Sequence, residues 1–158
     1  MNSKIKDICR LSLIASMYVI LTVVNPFSYD AIQFRISEIL MLLCFYRKDY
    51  SIALIIGCFI SNLFSPLMFY DILFGTLATA ISCVFMMNSK NIFVAILYPI
   101  IFNSILVGLE LYIALDVSFI INAFYVFIGE AVVMIVGSII FNKLQKSQKF
   151  MELICSEK

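Results

Sequence analysis

The chain of 158 residues has no histidine at all, and charged residues make up only 13% of it. Without histidine the usual proton shuttle and the commonest metal ligand are missing. No serine or cysteine has an imidazole base to activate it, and nothing resembles HExxH, so hydrolase and metalloprotease readings fail. A GxxxxGK[ST] phosphate loop is also missing, which excludes ATP hydrolysis by that route. The five cysteines (Cys9, Cys44, Cys58, Cys83, Cys155) lie scattered, with no CxxC and no metal-ligand spacing. They read as small apolar fillers rather than a disulfide or metal scaffold. A net charge of +1 creates no long-range field that would attract nucleic acid.

What the sequence has is oil. Hydrophobic residues make up 63% and the mean hydropathy is +1.06, whereas soluble domains are apolar for about half of their residues. The expectation is an all-α integral membrane protein, one domain of six transmembrane helices over about 7–24, 34–46, 50–64, 71–87, 92–115 and 118–141, then a polar cytoplasmic tail over 142–158. The first segment stops at the turn signal Asn25-Pro26. It follows Lys4, Lys6 and Arg10 but has no small-x-small cleavage site, so it reads as a retained helix rather than a signal peptide. The second segment is short for a span that needs roughly 20 apolar residues, and must be tilted, re-entrant or helped by its flanks. Lys and Arg occupy the N-terminus, the turn at Arg47-Lys48, the turn at Lys90 and the C-terminal tail, while the alternate loops carry Asp30, Asp71 and Asp116 without a base. By the positive-inside rule both termini face the cytoplasm.

Against that background, the stretch Gln33-Phe34-Arg35-Ile36-Ser37-Glu38 stands out. Ionised side chains at membrane depth cost a few kcal/mol at least and usually face a bundle interior or a wet cavity. Arg35 and Glu38, three residues apart, share a helical face and can screen each other. The bland alternative is a pair that only locks two helices together. Asp71 sits at the outer start of the fourth segment, where a plain N-terminal cap competes with a site role. Asn103 and Glu110 are seven residues apart on one face of the fifth segment. Glu130 lies roughly 18 Å below the outer end of the sixth, for about 12 residues at 1.5 Å each. It has no local neutralising partner at helical spacing and needs one from another helix, a ligand or a proton.

Two rows of small residues read as packing: Gly57, Ser61 and Ser65 in the third segment, and Asp71, Gly75, Ala78 and Ser82 in the fourth. Ser12 and Ser16 form a small-xxx-small pair in the first segment, suited to docking another membrane protein. One cation, several carboxylates and the amides of Gln33 and Asn103 gather toward the outer half. Carboxylates accept paired N–H donors, and Tyr or Phe can stack on a flat ring. This inventory suits an uncharged or cationic heterocycle rich in N–H groups, held by a small solute-binding membrane protein open to the outside.

The stretches Gln33–Glu38, Asp71-Ile72-Leu73-Phe74-Gly75-Thr76-Leu77-Ala78, Phe102-Asn103-Ser104-Ile105-Leu106-Val107-Gly108-Leu109-Glu110-Leu111 and Gly129-Glu130-Ala131-Val132-Val133 resemble successive signatures of the QueT family. That family comprises substrate-binding S components of energy-coupling factor (ECF) transporters associated with uptake of queuosine precursors. The resemblance spans nearly the whole chain. It implies the six-helix S-component fold and a 7-deazaguanine ligand, a pre-queuosine base or queuine, salvaged for tRNA modification. It also implies a transmembrane coupling subunit and two cytoplasmic ATPases as partners, so that ATP is used by those chains and no cofactor is bound here. S components typically dock through an Ala-xxx-Ala surface on their first helix, where this chain has Ser12 and Ser16. Implied ligand contacts are Gln33, Arg35, Glu38, Asp71, Asn103, Glu110 and Glu130. The competing expectation is a proton-coupled secondary transporter with Glu130 as the titrating group, against which stand the small size and the lack of an evident internal repeat.

Overall fold

In hydrocarbon every backbone N–H and C=O must be satisfied within its own segment or by a protein neighbour, so apolar runs of this kind wind as helices. The computed structural model describes residues 3–30 and 33–155, which form helices joined by short turns, with no strand among the described residues. The helices are α1 (Ser3–Val24), α2 (Ile36–Tyr46), α3 (Tyr50–Asn62), α4 (Met68–Met86), α5 (Ile92–Leu115), α6 (Phe119–Leu144) and α7 (Gln148–Cys155). Of these α1, α4, α5 and α6 are long and apolar enough to cross a membrane, whereas α2 and α3 are shorter. Exposed apolar side chains such as Ile20, Leu77, Ile105 and Phe124 line their outward faces, a surface that lipid solvates and water does not.

Three of the helices, α2, α4 and α5, depart from regular winding. The first seven residues of α2, Ile36–Leu42, are 3-10 helix and the last four, Leu43–Tyr46, are α-helix. At about 2.0 Å and 1.5 Å of rise per residue respectively, α2 covers roughly 20 Å of a bilayer core about 30 Å thick. In α4, Asp71–Gly75 is a π-turn between α-helical stretches. In α5 the winding breaks at Ile96; Pro99, three residues on, has no N–H to give to the previous turn. Asp116 ends α5 in the left-handed region at φ 55°, a conformation that Asp tolerates better than most residues.

Small residues set the helix contacts. A Cβ on Gly57 of α3 would lie 3.0 Å from the Tyr18 Cβ and 3.1 Å from the Ala15 carbonyl oxygen of α1. At Gly108 of α5 it would come 2.9 Å from the backbone Cα of Ala123 on α6, and at Gly137 of α6 it would meet Ile39 and Leu42 of α2 at 3.1 Å. Such close approach is how membrane helices gain van der Waals contact where no hydrophobic force separates protein from solvent.

The buried apolar residues fall into two groups. A large one includes Tyr18, Met41, Leu54, Met86, Ile100, Met134 and Ile154; a small one joins Val107, Leu111 and Val126 with Leu67. Along α5 and α6, Asn103 and Glu130 lie between the two groups.

Both chain ends contact the region of the α2–α3 turn. Arg47, in the α2–α3 turn, pairs with Asp7 of α1 at 3.6 Å and with Asp49. The hydrogen bond from the Arg47 guanidinium holds the Asp49 carboxyl below the usual carboxylate range. The Tyr46 hydroxyl lies 3.2 Å from Gln145, and the Tyr50 hydroxyl donates to the Ile154 carbonyl at 3.0 Å. Within the expected polar tail Gln148–Cys155 forms α7, amphipathic, with Ile154 buried; residues 156–158 of that tail lie outside the described residues. The third helix ends at Asn62, so Ser65 leaves the row predicted with Gly57 and Ser61.

Because the new Cβ at Gly108 would meet backbone, Gly108→Val should lower stability by about 1–3 kcal/mol. Ile120→Val, at a side chain 77% exposed, should stay within about 0.5 kcal/mol. Thermal unfolding of the detergent-solubilised protein checks both.

Candidate ligand-binding site

Every carboxylate and amide named from the sequence as a site residue is buried: Gln33, Glu38, Asp71, Asn103, Glu110 and Glu130, together with Arg35. The loop before α2 brings the arginine in. Asn25 caps the Pro26–Tyr29 turn by accepting from the Phe27 N–H and donates to the Phe34 carbonyl at 2.6 Å, folding the loop back on itself. Arg35 then donates from Nε to the Ser28 carbonyl at 3.0 Å, with its guanidinium 5.7 Å from the centre of the Tyr29 ring.

The charge partner of Arg35 is Asp71 of α4, at 3.1 Å with both side chains about 5% exposed or less. Glu38, expected to screen it from the next turn, does not hydrogen-bond to it. Arg35 precedes the 3-10 stretch in extended backbone, so its side chain leaves toward α4, while Glu38 stays within electrostatic reach of it. Asp71 is no helix cap either. It sits inside α4 at the π-turn, its other carboxylate oxygen accepts from the Ser65 hydroxyl, and its carbonyl accepts from Asn62 Nδ2 at 2.8 Å. Gly75 makes room, because a Cβ there would lie 2.9 Å from Asn62 Nδ2 and 3.6 Å from the Arg35 guanidinium. π-turns of this kind recur at functional sites.

The remaining acids are progressively less satisfied. Glu38 accepts from the Tyr18 hydroxyl of α1 at 2.5 Å through Oε1, and its Oε2 has no partner among the described residues. Glu130 accepts from Asn103 Nδ2 of α5 at 3.0 Å, which supplies the partner from another helix that its depth demands. Glu110 is fully buried, its carboxyl against that of Asp71 and within electrostatic reach of Arg35, and neither of its oxygens meets a donor among the described residues. Glu130 in turn is within electrostatic reach of Glu38 and Arg35. Acids from α2, α4, α5 and α6 therefore lie within electrostatic reach of one guanidinium, with Asp71 in contact with it.

Some members of this cluster were not apparent in the sequence. Ser65 reads as packing in the sequence, and neither Tyr18 nor Asn62 stands out there. The usable signal was a polar side chain one turn from another in an apolar helix, as with Tyr18 and Thr22, whose hydroxyl meets that of Ser37 at 2.6 Å. Ser12 and Ser16 lie on the exposed outer face of α1, away from the cluster, with Ser16 donating to the Ser12 carbonyl at 2.8 Å. Among the described residues no group of three or more His, Cys, Asp or Glu side chains is placed to hold a metal ion. Cys44 and Cys83 are free thiols 3.4 Å apart in the apolar core.

A buried ion pair stripped of one partner leaves an uncompensated charge, which costs about 3–5 kcal/mol. Arg35→Met should lose about that much stability, and Arg35→Met combined with Asp71→Leu should recover a large part of it. Melting temperatures of the two purified variants test the pairing.

Comparison with known proteins adds an independent line. The family model described as QueT transporter matches residues 8–146. The chain is 31% identical over 164 aligned positions to the Queuosine precursor transporter QueT of Lactococcus lactis subsp. cremoris (strain MG1363), covering 92% of this chain and 95% of that relative. No solved structure matches it.

Proposed function

The chain belongs to the QueT transporter family, and from that premise we propose that it is the substrate-binding S component of an ECF-type importer, capturing a queuosine precursor or related 7-deazaguanine from outside the cell. The single observation that carries the ligand reading is the set of buried acceptor oxygens left open around one arginine: both of Glu110 and one of Glu38. Buried polar atoms are ordinarily paired, and a base edge bearing a ring N–H beside an exocyclic amine offers the pair of donors that a carboxylate accepts.

The roles follow from how much of each group is already engaged. Glu110, with two open oxygens, suits the two-donor edge of the base. Glu130 and Asn103, joined to each other, present a mixed donor and acceptor surface. Arg35 and Asp71 are largely committed to one another and hold the loop before α2 against α4, with Gln33 in the same loop. In this reading α2 and α3 complete a six-span bundle with both termini in the cytoplasm of a bacterial cell, as the placement of Lys and Arg requires. The cluster then opens outward. Ser12 and Ser16 face a transmembrane coupling subunit, two cytoplasmic ATPases supply the energy, and toppling of this chain within that complex delivers the ligand.

Glu110→Gln and Glu130→Gln should each weaken binding of 7-aminomethyl-7-deazaguanine by about tenfold or more, the scale of a hydrogen bond to a charged group. Calorimetry on the purified protein measures it; either variant keeping wild-type affinity removes that residue from the site. In cells, uptake should require the co-expressed coupling subunit and ATPases. Uptake by this chain alone, collapsing when the proton gradient is dissipated, would instead support a proton-coupled carrier.

A further inference from the structure

Helix α1 is the least buried of the long spans. Only 11% of its apolar window is buried, against 33% in α4, 50% in α5 and 44% in α6. It nevertheless reaches the polar cluster through two fully buried side chains one turn apart, Tyr18 and Thr22. A buried phenol must place its hydroxyl on a partner, and Tyr18 places it on Oε1 of Glu38 at 2.5 Å. Thr22 holds the neighbouring residue of α2 through the Ser37 hydroxyl. The base of the Tyr18 side chain packs directly on α3 at Gly57, where a Cβ would sit 3.0 Å from the Tyr18 Cβ and 3.3 Å from its Cγ. With Oε1 engaged, Glu38 has a single open acceptor, Oε2, buried and without a partner among the described residues. Arg35, on the preceding turn, is committed to Asp71 and the Ser28 carbonyl.

We propose that Tyr18 is a positioning residue of the ligand site, fixing Glu38 so that only Oε2 is offered, and that Glu38 therefore reads one N–H donor or ammonium group on the ligand. The inference rests on the ligand-binding reading above and deepens it. A carboxylate with one oxygen taken accepts a single-point donor, whereas Glu110, with two open oxygens, accepts a two-donor edge. The single-point donor of a queuosine precursor is a cationic aminomethyl substituent, so the Tyr18–Glu38 pair confers preference for that substituent rather than affinity for the ring.

The test compares dissociation constants of 7-aminomethyl-7-deazaguanine and unsubstituted 7-deazaguanine for the full-length protein in detergent, with melting temperatures recorded alongside. Wild type should prefer the aminomethyl compound. Tyr18→Phe should shrink that preference by about tenfold while binding of the unsubstituted ring changes little. Glu38→Gln, which keeps an acceptor for Tyr18 but puts an amide N–H where Oε2 stood, should abolish the preference, and it serves as the test should Tyr18→Phe fail to fold. The two changes together should do no more than Glu38→Gln alone. Equal weakening of both ligands in Tyr18→Phe, additive losses in the double variant, or an unaltered preference in Glu38→Gln overturns the inference and leaves the transport reading standing. A wild-type protein that binds neither compound overturns both.

Discussion

An arginine and an aspartate buried in a chain that is otherwise almost wholly apolar constrain everything around them. In a medium that cannot solvate either ion, Arg35 and Asp71 must stay together, and the chain is arranged to keep them so. The loop before α2 folds back through Asn25 and offers the Ser28 carbonyl to the guanidinium. Helix α4 relaxes into a π-turn at Asp71, Gly75 leaves space for Asn62 and the guanidinium, and Ser65 and Asn62 complete the hydrogen bonds of the aspartate. The 3-10 winding of α2 belongs to the same arrangement, since it starts directly after Arg35.

From this fixed pair outward the acids become steadily less satisfied. Both oxygens of Asp71 are engaged, Glu38 and Glu130 each take one donor from a neighbouring helix, and Glu110 takes none among the described residues. A protein selected for stability alone would gain by replacing such groups with apolar ones of similar volume. Retaining them is sensible where a ligand supplies the missing donors, and it places the free energy of binding where donor pattern and charge are read. The small-residue contacts at Gly57, Gly108 and Gly137 supply the rigidity such a site needs, because they bring helix backbones close enough to hold side chains in one register.

Much of this was legible in the sequence, for physical reasons. The apolar runs and their breaks located the helices, because backbone satisfaction in hydrocarbon leaves few other choices. The named acids, amides and the arginine all proved buried, because ionisable groups in membrane segments seldom face lipid. What spacing could not reveal was pairing between helices. Arg35 joins Asp71 rather than Glu38, although 36 residues separate the pair. Asp71 suited a cap because the fourth apolar segment was expected to begin there, while the helix starts at Met68. Tyr18 was hidden by its type, since an aromatic in an apolar helix reads as bulk until a carboxylate appears beside its hydroxyl. The amphipathic α7 was obscured by the lysines around it.

The central claim is that these buried acids and Arg35 surround one ligand. A structure of the protein with 7-aminomethyl-7-deazaguanine bound tests it most directly. The account predicts density for the base among α2, α4, α5 and α6, with carboxylate oxygens of Glu110 and Glu38 within hydrogen-bond distance of its nitrogens. A ligand seated elsewhere, or Glu110 and Glu130 turned to opposite sides of the bundle, would contradict it.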